Sequence, residues 1–280
     1  MLIRHRDEAV ARKLAGYCVE EVDRLERIFS LYRADSEISR LNRDGLLDRP
    51  SHEMRLLLAE ARRFGGLSRG AFDVTVQPLW RIYSNHFASN PAAKEGPDRR
   101  KVEAGLSLVD YSGIDLDNGR ARMARWGMAV TLNGLAQGYI TDRIADMLRD
   151  AGLTDVLVDL GEIRALEGGA WKVRIEDPRN DHDTVNVLPL RSGALATSAG
   201  LGSKFDIAGK FHHLLNPRSG ACAAGCLSAS AIARSATTAD ALATALAVSS
   251  PVVARDLLHA FGGQRAILML PDGQILDIPA

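Results

Sequence analysis

The 280-residue sequence carries no net charge, because 35 lysines and arginines balance 35 aspartates and glutamates. No long basic run makes up for this locally, so no field draws nucleic acid or an anionic membrane, and nucleic acid is not an expected partner. Cysteine is scarce. Cys18, Cys222 and Cys226 are odd in number, and "CAAGC" has neither zinc-knuckle nor C-x-x-C spacing, so neither a disulfide framework nor a cysteine-bound metal is expected. No stretch reaches the roughly 18 unbroken apolar residues of a spanning helix, and the opening "MLIRHRDEAVARK" lacks the apolar centre of an export signal. Nucleotide fingerprints are missing too. There is no G-x-x-x-x-G-K-[ST] and no G-x-G-x-x-G between a strand and a helix, which excludes a P-loop and a Rossmann site.

What is present is a chain able to bury a sizeable core, with 46% hydrophobic residues and no internal repeat. Leu14, Cys18, Val22, Leu25 and Phe29 recur every three or four positions and predict an amphipathic helix from Asp7 to Ser30. "YRADSEISRLN" then breaks the period with turn formers. Ser51 caps a second expected helix that stops at Gly65 and Gly66. The polar stretch from Ser84 to Arg100 reads as an exposed loop or insertion. "GIDLDNGRARM" reads as a hairpin with Asn118 and Gly119 at its tip, and "LNGLAQGYITDRIADMLRDAGL" as a helix ended by Gly152. "TDVLVDLG", "WKVRIEDP", "TVNVLPLRSGALATSAG" and "CLSASAIARS" read as strands. "PVVARDLLHAFGG" follows as a helix begun by proline, and "RAILMLPDGQILDI" closes the chain as a hairpin. Strands and helices mix without strict βαβ alternation, so the expected fold class is α+β, with mixed or antiparallel sheets and packed helices in one domain over 1–280.

One acid stands out. "TTADALATAL" is an alanine-rich buried helix by composition, yet it holds Asp240, with the hydroxyl of Thr244 one turn later. Two readings stay open. Thr238 can be the N-cap, leaving Asp240 in the first turn where amide dipoles favour an anion and Thr244 bonded to the carbonyl one turn back. Alternatively, the i, i+4 spacing brings carboxylate and hydroxyl to one face, where their hard oxygens suit a magnesium ion that also takes substrate phosphates.

Six stretches in order, "SLYRADSEISRLN", "GAFDVTVQPLW", "LNGLAQGYITD", "ALATSAG", "HHLLNPRSG" and "ADALATA", resemble the ApbE family. Its flavin transferases take FMN from FAD and attach it through a phosphoester to a threonine or serine of a target flavoprotein, using magnesium. The resemblance spans Phe29 to Val248 and implies a T-fold-related architecture. It places Asp240 and Thr244 as magnesium ligands, with the backbone carbonyl of Gly134 completing the set. Tyr32, Ala71, Phe72, Asp73, Thr131, Gln137 and Leu214 fall at FAD contacts. His213 falls at the family's histidine, and an imidazole with an ordinary pKa of about 6.5 suits a general base at neutral pH. On residue types alone, Tyr32 and Phe72 read as core aromatics, Asp73 with Thr75 as a turn or cap, and His212 as a mere neighbour. "TLNGLAQGYITDRIADML" followed by "VLVDLGEIRAL" further resembles the NosX-like members that serve nitrous oxide reductase maturation in denitrifying bacteria.

The sequence also departs from the pattern. Thr131 and Gln137 stand where the family often has charged groups, Asn216 where aspartate is usual, and "LGE" where "GGD" is common. Ala243 replaces a further oxygen ligand of some relatives. The initial cofactor-contacting strand of relatives has no counterpart ahead of the Asp7–Ser30 helix. Relatives work in the periplasm or at the inner membrane, so that location is expected by resemblance. Two alternatives to transfer are an FAD pyrophosphatase giving FMN and AMP, and an FAD-binding assembly factor without catalysis.

Overall fold

The computed structural model describes residues 7–117 and 119–280. Residues 1–6, ahead of the first helix, and Asn118, expected at a hairpin tip, lie outside the described residues. Helix α1 (Glu8–Phe29) begins where the Asp7 carboxylate accepts from the Ala9 and Val10 amides, and it buries Cys18, Leu25, Ile28 and Phe29. The segment expected only to break the period makes a turn and then helix α2 (Glu37–Asp44), capped by Ser36 and ended by Gly45 at φ 68°. Strand β1 (Leu46–Asp48) follows, then helix α3 (His52–Leu67), capped by Ser51 as expected and running one residue past the glycine pair.

The region expected as a loop is helical at both ends and irregular in its middle. Helix α4 (Gln77–Ser89) and helix α5 (Arg99–Leu106, capped by Asp98) leave only residues 90–98 between them. The misreading of its first turns has a physical cause: Phe87 is the buried residue of α4 within this stretch, and Ser84, Asn85 and His86 ahead of it are exposed or half-buried. Strands β2 (Ile114–Asp117) and β3 (Arg120–Met123) form the expected hairpin, and with β1 they make a small sheet ordered β1-β3-β2.

Helix α6 (Ala136–Asp150) starts after Leu135, so Leu132 to Leu135 enter it as a turn rather than as helix. Then come β4 (Leu157–Asp159), β5 (Ile163–Ala165), β6 (Trp171–Asp177), β7 (Asn180–Leu190), β8 (Gly193–Ala199) and β9 (Ser228–Ala233). Helix α7 (Ala236–Val248) leads to a 3-10 turn at Pro251–Val253, which precedes α8 (Ala254–Phe261); proline therefore opens the turn and not the helix itself. Strands β10 (Arg265–Met269) and β11 (Ile275–Pro279) close the chain as a hairpin. The main sheet runs β11-β10-β9-β8-β5-β4, and β6 and β7 pair with each other, every ladder being antiparallel.

Strand β9 is buried at all six positions, as a strand covered on both faces must be. Helix α7 is what covers one of them. Its alanines and leucines are buried on nearly every side, so it packs as an internal helix rather than an amphipathic one. Helix α6 lies against it at backbone distance: a Cβ on Gly138 would sit 2.4 Å from the Ala236 carbonyl oxygen and 2.8 Å from the Thr237 nitrogen. Only glycine fits there. Gly138→Ala should therefore cost about 1–3 kcal/mol through forced separation of the two helices, read as a lowered urea midpoint against the parent protein.

Candidate active site

The site is built around the start of α7. Ser235 is the N-cap, its hydroxyl oxygen accepting from the Thr238 amide at 3.2 Å. The other first-turn amides go to Asp142 of α6, whose carboxylate accepts from Ala236 N at 2.8 Å, Thr237 N at 2.9 Å and the Thr237 hydroxyl at 2.7 Å. Arg164 backs that carboxylate at 3.3 Å. The expectation that Thr238 caps the helix, with Asp240 in its first turn, is thus corrected. The donors there are already satisfied, and Asp240 is the fifth residue of a helix that starts at Ala236.

Asp240 is instead buried, 4% exposed, and faces a cavity of about 490 Å³. Its Oδ2 accepts from the Gly138 amide at 3.2 Å. Thr244 lines the same cavity one turn on, its hydroxyl 3.2 Å from that of Ser198 at the end of β8. Gly134, in the turn before α6, comes so close that a Cβ there would lie 2.8 Å from the Thr244 hydroxyl oxygen. One carboxylate, one hydroxyl and one glycine backbone therefore converge from two elements, and the clamp at Asp142 holds those elements together.

The other walls come from the remaining motifs. Tyr32, Ala71, Phe72, Asp73, Thr131, Gln137, His213 and Leu214 all line this cavity, so the structure brings these candidate site residues together with Gly134, Asp240 and Thr244. Their roles differ. Tyr32 is 90% exposed at the rim, not a core aromatic, whereas Phe72 is buried and meets Phe64 edge-on with ring centres 6.1 Å apart. Asp73 spends its carboxylate within the protein: Oδ1 accepts from the Thr75 amide at 2.8 Å and the Thr75 hydroxyl at 2.5 Å, and Oδ2 from the Tyr111 amide at 3.0 Å. Burial pushes its pKa above the usual carboxylate range against those hydrogen bonds. Thr131 joins this wall to the turn before α6 by donating its amide to the Val74 carbonyl. Gln137 donates to the Leu160 carbonyl at 3.1 Å. Asn42, at the end of the first motif, exchanges two hydrogen bonds with the Val130 backbone, at 2.8 and 2.6 Å, and so fixes α2 to the same turn.

His213 donates from Nδ1 to the Ser203 carbonyl at 3.0 Å, which leaves the lone pair on Nε2. Burial lowers its pKa below 6.5, opposed by that hydrogen bond, so the ring is neutral at pH 7 and able to accept a proton. His212 is indeed a neighbour: its Nε2 donates to the Ala223 carbonyl at 3.0 Å and it is absent from the cavity lining.

Sequence reasoning missed Glu162. This side chain, 7% exposed, lies immediately before β5 and lines the cavity together with Asp240. Burial raises its pKa to about 7, opposed by a hydrogen bond from the Thr197 amide and reinforced by the charge of Asp159. Asp240 is raised well above the ordinary range by burial and by the charge of Glu162, against the Gly138 hydrogen bond. The available signal was an acid directly after Gly161, which turns the chain at φ 103° into the short strand β5. Asp73, Glu162 and Asp240 line the cavity, and among the described residues neither lysine nor arginine does.

The ApbE family model matches residues 3–268. This chain belongs to the ApbE family. It is 29% identical over 264 residues to a Vibrio cholerae protein named FAD:protein FMN transferase, covering 89% of this chain and 78% of the relative. A Haemophilus influenzae protein of the same name is 29% identical over 233 residues, covering 78% and 67%. Among solved structures, the ApbE protein of Thermotoga maritima superposes with a TM-score of 0.82 at 29% identity, covering 95% of this chain and 88% of that one. The flavinyl transferase ApbE of Pseudomonas stutzeri gives 0.82 at 26% identity, covering 99% and 89%. The α+β architecture is thus that of the family.

Because three donors rely on the Asp73 carboxylate, Asp73→Ala should lower stability by about 1–3 kcal/mol even without any ligand. Thermal unfolding of the ligand-free variant checks this.

Proposed function

We propose that this ApbE-family chain transfers FMN from FAD to a threonine or serine hydroxyl of a target protein, with release of AMP and dependence on magnesium. Its curated relatives are named for FMN transfer from FAD to protein. The observation that carries the finer reading is the cavity itself, which is lined by Asp73, Glu162, Asp240 and His213 and, among the described residues, by no lysine or arginine. Buried carboxylates without a basic partner are costly unless they are protonated or meet a cation. Asp240, Thr244 and the Gly134 carbonyl are hard oxygen donors of the kind magnesium prefers, and they leave positions for phosphate oxygens. These three would hold the ion. When bound, it supplies neutralisation of diphosphate charge.

The remaining steps belong to the protein. Ala71, Phe72, Thr131, Gln137 and Leu214 enclose the dinucleotide, and the exposed Tyr32 ring borders the opening. The acceptor hydroxyl gives its proton to His213 Nε2 while its oxygen attacks the FMN-side phosphorus. The bond from that phosphorus to the bridging oxygen breaks, and AMP leaves with the bridging oxygen. The proton on His213 then passes to solvent or product. Positioning and charge stabilisation carry most of the rate. Assignment to nitrous oxide reductase maturation and to the periplasmic side or inner membrane rests on the motif resemblance. None of the described helices is long and apolar enough to cross a membrane.

The test incubates the protein with FAD, magnesium and a candidate acceptor, and follows covalent flavin fluorescence and free AMP. His213→Ala should slow transfer about 10²–10⁴-fold, the usual contribution of a general base. Asp240→Ala should abolish the magnesium response. Since the folded His213 has a lowered pKa, activity should persist on acidification until pH falls through a value below 6.5, and the variant should lack that limb. Equal FAD cleavage with and without acceptor would assign hydrolysis instead of transfer.

A further inference from the structure

Glu162 has a carboxylate that the protein satisfies only on one side. The Thr197 amide donates to it, while Oε2 is buried and has no hydrogen-bond partner among the described residues. A buried acceptor left open costs on the order of 1–3 kcal/mol, so a side chain that pays it without a ligand is out of keeping with an ordinary interior. Its location is fixed from both flanks. On one side, the turn that carries it packs on Gln137: the Gln137 amide donates to the Leu160 carbonyl, and a Cβ on Gly161 would lie 2.3 Å from Gln137 Nε2. Gln137 is three residues past Gly134. On the other side, Thr197 precedes Ser198, whose hydroxyl is 3.2 Å from that of Thr244. The carboxylate thus stands between α6, which follows the Gly134 turn, and β8, whose Ser198 meets the Thr244 hydroxyl, and it lines the same cavity as Asp240.

A second acid in this position makes no sense as a contact for diphosphate oxygens, which it would repel. Among the described residues, no lysine or arginine lines the cavity to neutralise it. A ligand able to satisfy an open carboxylate oxygen beside another carboxylate must carry positive charge, and a divalent cation does so for both at once.

We infer that Glu162 is a second anionic ligand of the divalent cation held by Asp240, Thr244 and the Gly134 carbonyl. The inference rests on the cation reading above. It assigns the chain two carboxylates for its ion.

The experiment titrates Mn²⁺ into the FAD-free protein and follows bound metal by electron paramagnetic resonance, for the parent, Glu162→Gln and Glu162→Asp. Glu162→Gln should weaken Mn²⁺ binding roughly tenfold or more, on the scale by which metal-site partners alter affinity, with Glu162→Asp in between. Its melting temperature without metal should be unchanged or higher, because a buried charge is removed. Its metal-free FAD affinity, read by quenching of flavin fluorescence, should not fall. Equal Mn²⁺ affinity in the parent and Glu162→Gln overturns the inference, as does a tenfold loss of metal-free FAD binding, which would make Glu162 a substrate contact. If the parent binds no Mn²⁺ and transfers no FMN, the cation reading itself fails. If the parent transfers FMN with Mn²⁺ and Glu162→Gln holds the metal equally well, only the role of Glu162 fails.

Discussion

Uncompensated negative charge in a buried cavity is the constraint on which the site depends. Asp240 and Glu162 lie almost wholly out of solvent, the charge of Glu162 raises the proton affinity of Asp240, and no lysine or arginine among the described residues lines their cavity. Such an arrangement is unfavourable to the empty fold and favourable to a bound cation. Stability and function therefore pull in different directions here, and the surrounding scaffold has to hold the acids in place against their repulsion. The hydrogen bonds that each acid receives, from Gly138 and Thr197, are main-chain bonds from regular elements, so neither acid can swing away without disturbing α6 or β8.

The scaffold meets that demand through three joints. Asp142 ties α6 to the start of α7, Asn42 ties α2 to the turn before α6, and Thr131 ties that turn to the wall at Val74. Each joint uses a side chain or amide to satisfy a backbone group that no helix or strand would otherwise reach. Residues far apart in the chain are thereby placed around one cavity, and the loops that carry His213 and Phe72 become walls of it rather than mobile connections.

Much of this was legible in the sequence where one periodicity or one cap dominates. The stripe of α1, the Ser51 cap of α3 and the β2–β3 hairpin follow from local rules alone. α4 was obscured because its buried face is only a few residues among polar ones. α7 posed the opposite difficulty: so apolar a helix has no stripe, and residue types could not tell a capping Asp240 from a ligand. That choice depended on Ser235 and on Asp142, which is nearly a hundred residues earlier. Glu162 was hidden for a similar reason, since its meaning lies in partners on β8 and α6 and not in its neighbours. The wall residues were found only through a resemblance read over six motifs in order, because each alone has an ordinary structural explanation.

The glycine at position 138 has a consequence for the geometry of the donors. With main chain resting directly on main chain between α6 and α7, there is no intervening rotamer to lengthen or shorten the gap. The distance from the Gly134 turn to Asp240 and Thr244 is thus a ruler made of polypeptide thickness, rigid by construction. Such a site can be retuned by exchanging the atoms that point inward, but not by adjusting how far apart they stand.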